Sequence, residues 1–417
     1  MKIKTLLSTA LIGFGVISQA SAINTIYITG STAFRSQVFN TLSASGVVFD
    51  APGPDAVATY GASSASGGTW MLFHGMVSSV ETYVDCVWSG SEAGIAATCG
   101  TTIDNGGVPL AGAPVFFLVP NTVTNPNGNN SANPGSSKTN SVSTPPDLAM
   151  ADTSQAVSLT QTPVLHDFGV VGIVPFVYCK NTNSSPTAQW LHLTNCTHYQ
   201  MRVCLGVPQE AGFFTGSSAD TNMYVYPVGR NKGSGTRVNF LADNAYGITT
   251  DVQQFSIGGN PFTNGTAATL GDELNNGYES GGDVSKALSV NGSCQTPDPL
   301  QQLPDGTTPS GYIAIGYLGI GDATKNSLGT NLWLTLNGVF ESDGAVEEGT
   351  YSYWGHEHLL GKNGISLTSP EGKLGTALFS GIPGQLGGSV TTAHSTGIKT
   401  TFMHCDKGSD IAIPTRL

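Results

Sequence analysis

The residues best suited to chemistry lie in the run Val228-Gly229-Arg230-Asn231-Lys232-Gly233-Ser234-Gly235-Thr236-Arg237. Arg230 stands four residues before a Ser-Gly-Thr turn. A guanidinium is a rigid fork of donors that matches the oxygens of a phosphate or carboxylate. Val238, Leu241, Ala242 and Ala245 share one helical face, so the spacing predicts a helix that opens at the Ser-Gly-Thr turn and ends at Gly247. The first N–H groups of a helix lack internal partners, and the dipole there favours negative charge. Two hydroxyls, a glycine that admits close approach and a guanidinium make an oxyanion cradle. The same run also fits a capped helix with a surface arginine.

Three further turns carry polar groups of the same kind. Gly30-Ser31-Thr32 follows the β-branched and aromatic run Thr25-Ile26-Tyr27-Ile28-Thr29 and precedes a helical face of Phe34, Val38, Phe39 and Leu42. Strand, turn and helix in that order open an α/β sheet, whose ligands sit at the C-terminal ends of the strands. Gly90-Ser91-Glu92-Ala93-Gly94 follows a strand predicted over Val80 to Val87. The segment Pro146 to Asp152 reads as a short buried strand that ends on an acid. Arg35 and Arg237 are near these turns and are expected on helix surfaces, with the alternative that either reaches a bound anion.

Stepping outward, Val170 to Tyr178 is almost wholly apolar and β-branched, and Gly311 to Leu318 is a second such run. Both predict central strands. Asn121 to Pro146 is rich in Asn, Pro, Ser and Gly, buries too little apolar surface to pack, and reads as an exposed loop. A helix is predicted near Leu332 to Phe340, with short strands and turns elsewhere in 322–417. There is no internal repeat.

The compartment is written at the N-terminus. A basic head, Met1 to Lys4, an apolar stretch from Leu6 to Ile17, and Ala20-Ser21-Ala22 form a cleavable leader over 1–22. No cysteine stands at the cleavage point for a lipid anchor, and no later stretch is apolar enough to span a membrane. The expectation is a periplasmic or secreted protein, monomeric and not membrane-embedded. A net charge of −12 over 417 residues argues against nucleic acid. Seven cysteines in an exported chain predict disulfides, with Cys86–Cys99 and Cys196–Cys204 as plausible pairs. The rival metal set His192, Cys196, His198 and Cys204 fits no closed zinc spacing, and His356-Glu357-His358 is not a zinc-protease motif, so both histidines are expected on the surface. No metal and no cofactor is expected. The sequence has no G-x-S-x-G elbow and no Ser/His/Asp arrangement, so the chain is not expected to be an enzyme.

Taken together, Gly30-Ser31-Thr32, Gly90-Ser91-Glu92-Ala93-Gly94, Asp152 and Arg230…Ser234-Gly235-Thr236 stand in an order that resembles the phosphate-binding proteins of bacterial phosphate ABC importers. The resemblance runs from Ile23 to about Ala323 and fades in the last ninety or so residues. It implies the type 2 periplasmic-binding-protein fold: an α/β chain of two lobes, each an open mixed sheet flanked by helices, joined by two hinge strands. Lobe 1 would comprise 23–176 and 322–417, and lobe 2 residues 177–321. The carried-over ligand set is Thr32 and the N–H of Ala33, Ser91, Asp152, Arg230, Ser234, Gly235 and Thr236. Ala33 stands where an aromatic is common, Lys232 where Asp is common, and Ser66-Gly67-Gly68 is a rival for the Ser91 turn. The implied ligand is inorganic phosphate, with an ABC permease as a further partner. Hydrogen phosphate has a proton to donate, and sulfate has none, so a buried Asp152 would accept the first and repel the second. The alternative is a surface or adhesive protein that keeps the fold without serving import.

Overall fold

A computed structural model describes residues 23–61, 64–105, 108–110, 115–118, 129–130, 141–257, 270–290, 298, 300–303, 305–326, 328–388, 390–410 and 412–417. The leader, Cys294 and most of the loop 121–146 lie outside the described residues. No helix among the described residues is long and apolar enough to cross a membrane.

An eleven-stranded mixed sheet runs through the molecule. In chain order its strands are β1 (Asn24–Gly30), β2 (Ala56–Tyr60), β3 (Trp70–Val77), β4 (Val80–Val87), β5 (Asn129–Asn130), β6 (Leu148–Ala151), β7 (His166–Lys180), β8 (Gln209–Glu210), β9 (Tyr224–Val228), β10 (Tyr312–Gly319) and β11 (Trp354–Gly361). Their spatial order is β8-β9-β10-β7-β11-β6-β1-β4-β3-β2-β5. The helices used below are α1 (Arg35–Ser43), α2 (Ser91–Thr98), α3 (Gly235–Asp243), α4 (Gly281–Leu288) and α5 (Pro370–Gly381). The chain is thus α/β, a large mixed sheet flanked by helices, as expected.

The long strand β7 decides the geometry. Its first part, up to Pro175, pairs with β11, and its second part, from Phe176, pairs with β10. Proline has no N–H to give a ladder, and it stands where the strand changes partner. The two parts of the sheet are therefore staggered along β7. β1, β4 and β6 are mutually parallel and run with β7, while β9 and β10 run against it. Across the stagger, the C-terminal ends of β1, β4 and β6 face the C-terminal end of β9. Every segment that the sequence marked with a turn hydroxyl or an acid leaves one of these ends.

The main hydrophobic core crosses both parts, from Ile26, Ile28 and Phe34 through Phe176 and Tyr178 to Tyr226, Ile313 and Trp354, with smaller clusters beside it. The outer strands also differ from the prediction in the C-terminal region. Leu332 to Phe340 is not a helix. Thr330–Leu332 is a single 3-10 turn, and Thr335–Leu336 pairs with Asn195–Cys196 as a short parallel bridge. Trp333 and Leu334 are buried, and Leu334 N–H bonds to Tyr178 O, so packing against β7 holds this stretch extended. The helices of this region are instead a short one over Asp343–Glu347 and the longer α5, opened by Ser369 and Pro370.

The cysteines also depart from expectation. All six described cysteines carry free thiols. Cys86 is buried in the main core, whereas Cys99 packs against a different cluster and donates to Pro163 O. Cys196 and Cys204 each donate to their own backbone acceptor, Thr335 O and Val225 O. Neither sequence-adjacent pair forms.

Candidate functional site

The site is assembled from β-strand ends. β4 leads through Gly90 into α2, and Ser91 is the first residue of that helix. Gly90 has φ +97°, which side chains rarely adopt, and a Cβ there would lie 2.6 Å from Gly233 O. Glycine thus lets the two turns touch. The contact is a hydrogen bond from Ala93 N–H to Gly233 O, 3.1 Å. Gly90 N–H also bonds to Gly30 O at 2.9 Å, which joins the first two turns.

β6 delivers Asp152 between the starts of α2 and α3. Ser91 Oγ donates to Asp152 Oδ1 at 2.5 Å, and Thr236 Oγ1 donates to Asp152 Oδ2 at 3.3 Å. Asn239 Nδ2 holds the Asp152 carbonyl at 2.7 Å. Gly235 leaves the room this needs, since a Cβ there would sit 1.6 Å from Asp152 Oδ1. Asp152 is buried, which pushes its carboxyl up to about 6 against the lowering pull of the Ser91 hydroxyl and the Arg230 charge. Two helix N-termini therefore converge on one carboxylate.

Arg230 follows β9 and is buried to 2 % exposure. Its backbone N–H donates to Tyr317 Oη at 2.9 Å, and Nη2 donates to Glu279 O at 2.8 Å. Its Nε is buried with no hydrogen-bond partner among the described residues. Burial lowers the guanidinium pKa, while Asp322, Tyr317 and Asp152 raise it. Arg237 is not on a helix surface. It is buried, and its Nη1 donates to Arg230 O and Asn275 O, 3.0 Å each, so it props the loop that carries Arg230. Ser234 caps α3 by accepting from Arg237 N–H at 3.3 Å. Lys232 is half-buried beside Arg237 and Leu241, where it lines a cavity of about 100 Å³.

The structure thus brings Ser91, Asp152, Arg230, Ser234, Gly235 and Thr236 to one place. Thr32 and Ala33 lie half-buried in the turn before α1, with no hydrogen bond to this group among the described residues. Ser31 is the residue of that turn that points inward. Its Oγ donates to Glu357 Oε2 at 3.1 Å. The rival turn Ser66-Gly67-Gly68 lies against α1 instead, where Ser66 O accepts from Ser36.

Glu357 is the residue that sequence reasoning missed. It is fully buried on β11, and its Oε1 has no partner among the described residues. Burial, and then the nearby Asp152 charge, push it well above the ordinary glutamate range. The histidines on either side are not surface residues as expected. His358 is buried and His356 half-buried, because β11 is an interior strand between β7 and β6. The signal was present: alternation in Trp354-Gly355-His356-Glu357-His358-Leu359-Leu360 places Glu357 on the face opposite both histidines. A third acid, Glu92 in the first turn of α2, is buried and satisfied by Thr153, Ser158 and Leu159 N–H, and burial pushes it up to about 7.

The rival metal set His192, Cys196, His198 and Cys204 does not gather. His192 bonds to Asp220, His198 to Ser352, and the two thiols to the carbonyls given above.

No protein-family model and no curated protein matches the chain. Several solved structures do. One is described as a phosphate ABC transporter substrate-binding protein from Clostridium perfringens with bound phosphate, at 13 % identity and TM-score 0.44 over 86 % of this chain and 93 % of that one. An ABC-type phosphate transport receptor from Vibrio cholerae is similar at 14 % identity and TM-score 0.36, over 85 % and 93 %. PstS from Borrelia burgdorferi is similar at 12 % identity and TM-score 0.35, over 84 % and 92 %.

Proposed function

We propose that this chain is an exported solute-binding protein that holds inorganic phosphate, or a similar protonated oxyanion, between the two parts of its sheet. Thr32, Ala33, Ser91, Asp152, Arg230, Ser234, Gly235 and Thr236 would surround the anion, and an ABC permease would receive it. The part carrying β1, β4, β6 and β11 would be one lobe, the part carrying β9 and β10 the other, with β7 and the returning chain as crossings. No turnover is part of this reading.

The observation that carries it is Arg230: a buried guanidinium with an unpartnered Nε, beside a buried acid and two helix N-termini. A buried charge of that kind is costly unless it is met by a complementary group. Asp152 takes the hydroxyls of Ser91 and Thr236 for itself. On binding, those hydroxyls and the fork of Arg230 would turn to the anion. Asp152 would then be free to accept the proton that hydrogen phosphate carries and sulfate lacks. Ser234 would act by holding the start of α3.

The test is calorimetric titration of the anion-free protein with phosphate and then with sulfate, repeated for Asp152→Asn. Phosphate should bind and sulfate should not. In the variant, phosphate affinity should fall about ten- to a hundredfold, the scale of a hydrogen bond to a charged group, and sulfate should begin to bind. Heat from neither anion would discard the receptor reading. The surface-protein alternative, which the satisfied hydroxyls on Asp152 favour, would then stand.

A further inference from the structure

A second cluster of chemically capable groups lies on the other face of β11. His356 and His358 are two apart on a strand, so their rings project to one side. The segment Cys405 to Asp410 passes over them. His356, His358 and Asp410 each offer a ligand atom, and those atoms all lie within 4.8 Å of one another.

We propose that His356, His358 and Asp410 form a binding site for one divalent transition-metal ion of the zinc class, distinct from the anion site. Several observations carry this. His358 is 92 % buried by its 8 % exposure, yet neither ring nitrogen has a hydrogen-bond partner among the described residues. Its Nε2 faces Asp410 Oδ2 at 3.5 Å. Two ligands each about 2.0–2.2 Å from zinc in a tetrahedron sit about 3.3–3.5 Å apart, so the gap is that of a shared ion. His356 Nδ1 lies against the other oxygen of the same carboxylate, at 2.7 Å. The inner nitrogens of both histidines therefore converge on Asp410.

The outer nitrogens complete the pattern. His356 Nε2 meets Asp406 Oδ1 at 3.0 Å, and His358 Nδ1 faces Asp167 Oδ2 at 3.5 Å. Metal-bound histidines commonly give their second N–H to a carboxylate, which fixes the ring and raises its basicity. Here both do. Charge agrees: Asp410 shares the buried Lys407 with Asp243, and the Lys407 Nζ donates to Trp354 O at 2.5 Å, so the acids around the two histidines outnumber this fixed cation among the described residues. Asp410 Oδ2 also accepts from Ser154 N–H at 2.5 Å, so the ion would pin the C-terminal segment to β11 and to the loop that follows Asp152. Three protein ligands leave a fourth position for a water or other small group, and the near-complete cover of these side chains restricts access to it.

Cobalt(II) titration of the full chain, freed of metal with a chelator and dialysed, tests this by visible absorption. One equivalent should produce the d–d bands of a low-coordinate cobalt site with no thiolate-to-cobalt charge-transfer band, and zinc should displace it. His358→Gln should abolish uptake. Asp406→Asn, which alters a half-exposed partner and leaves all three ligands, should weaken it about ten- to a hundredfold. Absent d–d bands, a thiolate band that assigns the ion to cysteines, or unchanged uptake in His358→Gln would each overturn the site. If His358→Gln fails to fold, unchanged affinity in Asp406→Asn overturns it instead. None of these readouts depends on phosphate binding.

Discussion

Asp152 and Arg230 set the chemistry at the scale of single side chains. Burial raises the acid and lowers the arginine, and each partly restores the other. Burial pushes the Asp152 carboxyl up to about 6, which leaves it mostly ionised at neutral pH, as the proposed acceptor of a ligand proton must be. Protonation removes that acceptor. Phosphate affinity should therefore decline as pH falls through about 6, and Asp152→Asn should lose this inflection. Titrations at a series of pH values decide it, and an inflection kept in the variant would assign the effect elsewhere. Arg230 also shows how a single residue was legible and its support was not. Its spacing from Ser234 was visible in the sequence, but Arg237, expected on the surface, proved to be the brace beneath it.

At the scale of elements, the meeting of α2 and α3 is what brings the scattered turns together. Gly235→Ala puts a methyl group where Asp152 Oδ1 and Ser91 Cβ already sit. The start of α3 must then withdraw from α2. The fold should persist by circular dichroism, while oxyanion affinity should fall by at least about tenfold, the effect of one strong hydrogen bond lost. Retained affinity would show that this close approach is not required. Glu92 makes a second element-scale prediction. Folded Glu92 keeps its proton up to about pH 7, whereas an unfolded glutamate releases it near 4.5. The folded state therefore binds more protons in that window, and its stability falls as pH rises through it. The shift corresponds to a contribution of order 3 kcal/mol present at acid pH and lost above about 7. Urea unfolding at pH 5 and pH 8 should show the decline, and Glu92→Gln should flatten it. An equal slope in the variant would remove Glu92 as its source.

At the scale of the whole molecule, the staggered sheet and the free thiols matter most. Because β7 changes partner at Pro175, two sets of strand ends face each other rather than pointing apart. That opposition, more than any single motif, places β4, β6 and β9 residues together. The cysteines serve packing rather than cross-linking: five of the six described are buried, and burial raises their thiols, so they are poor nucleophiles. Thiol titration of the denatured, unreduced protein should therefore find at least six reactive groups per chain. A count of one or two would mean that the cysteines pair after all.

The amino-acid sequence alone determined the local pieces. Alternating and unbroken apolar runs marked β1, β6, β7 and β10, and a Ser-Gly-Thr start with apolar residues at helical spacing marked α3. These are short-range properties, fixed by backbone preference and burial of one face. The placement of Ser91, Asp152, Arg230 and Thr236 at the ends of such pieces was legible for the same reason. Tertiary structure decided what depends on distant partners. Glu357 lies 326 residues from Ser31 in the chain, and only the pairing of β11 between β6 and β7 buries it beside that hydroxyl. The same pairing took His356 and His358 off the surface. Trp333 and Leu334, whose pattern fitted a helix, stay extended because Tyr178 offers them a carbonyl and a wall. The cysteine pairs failed because proximity in sequence does not bring two thiols to the same side of a core.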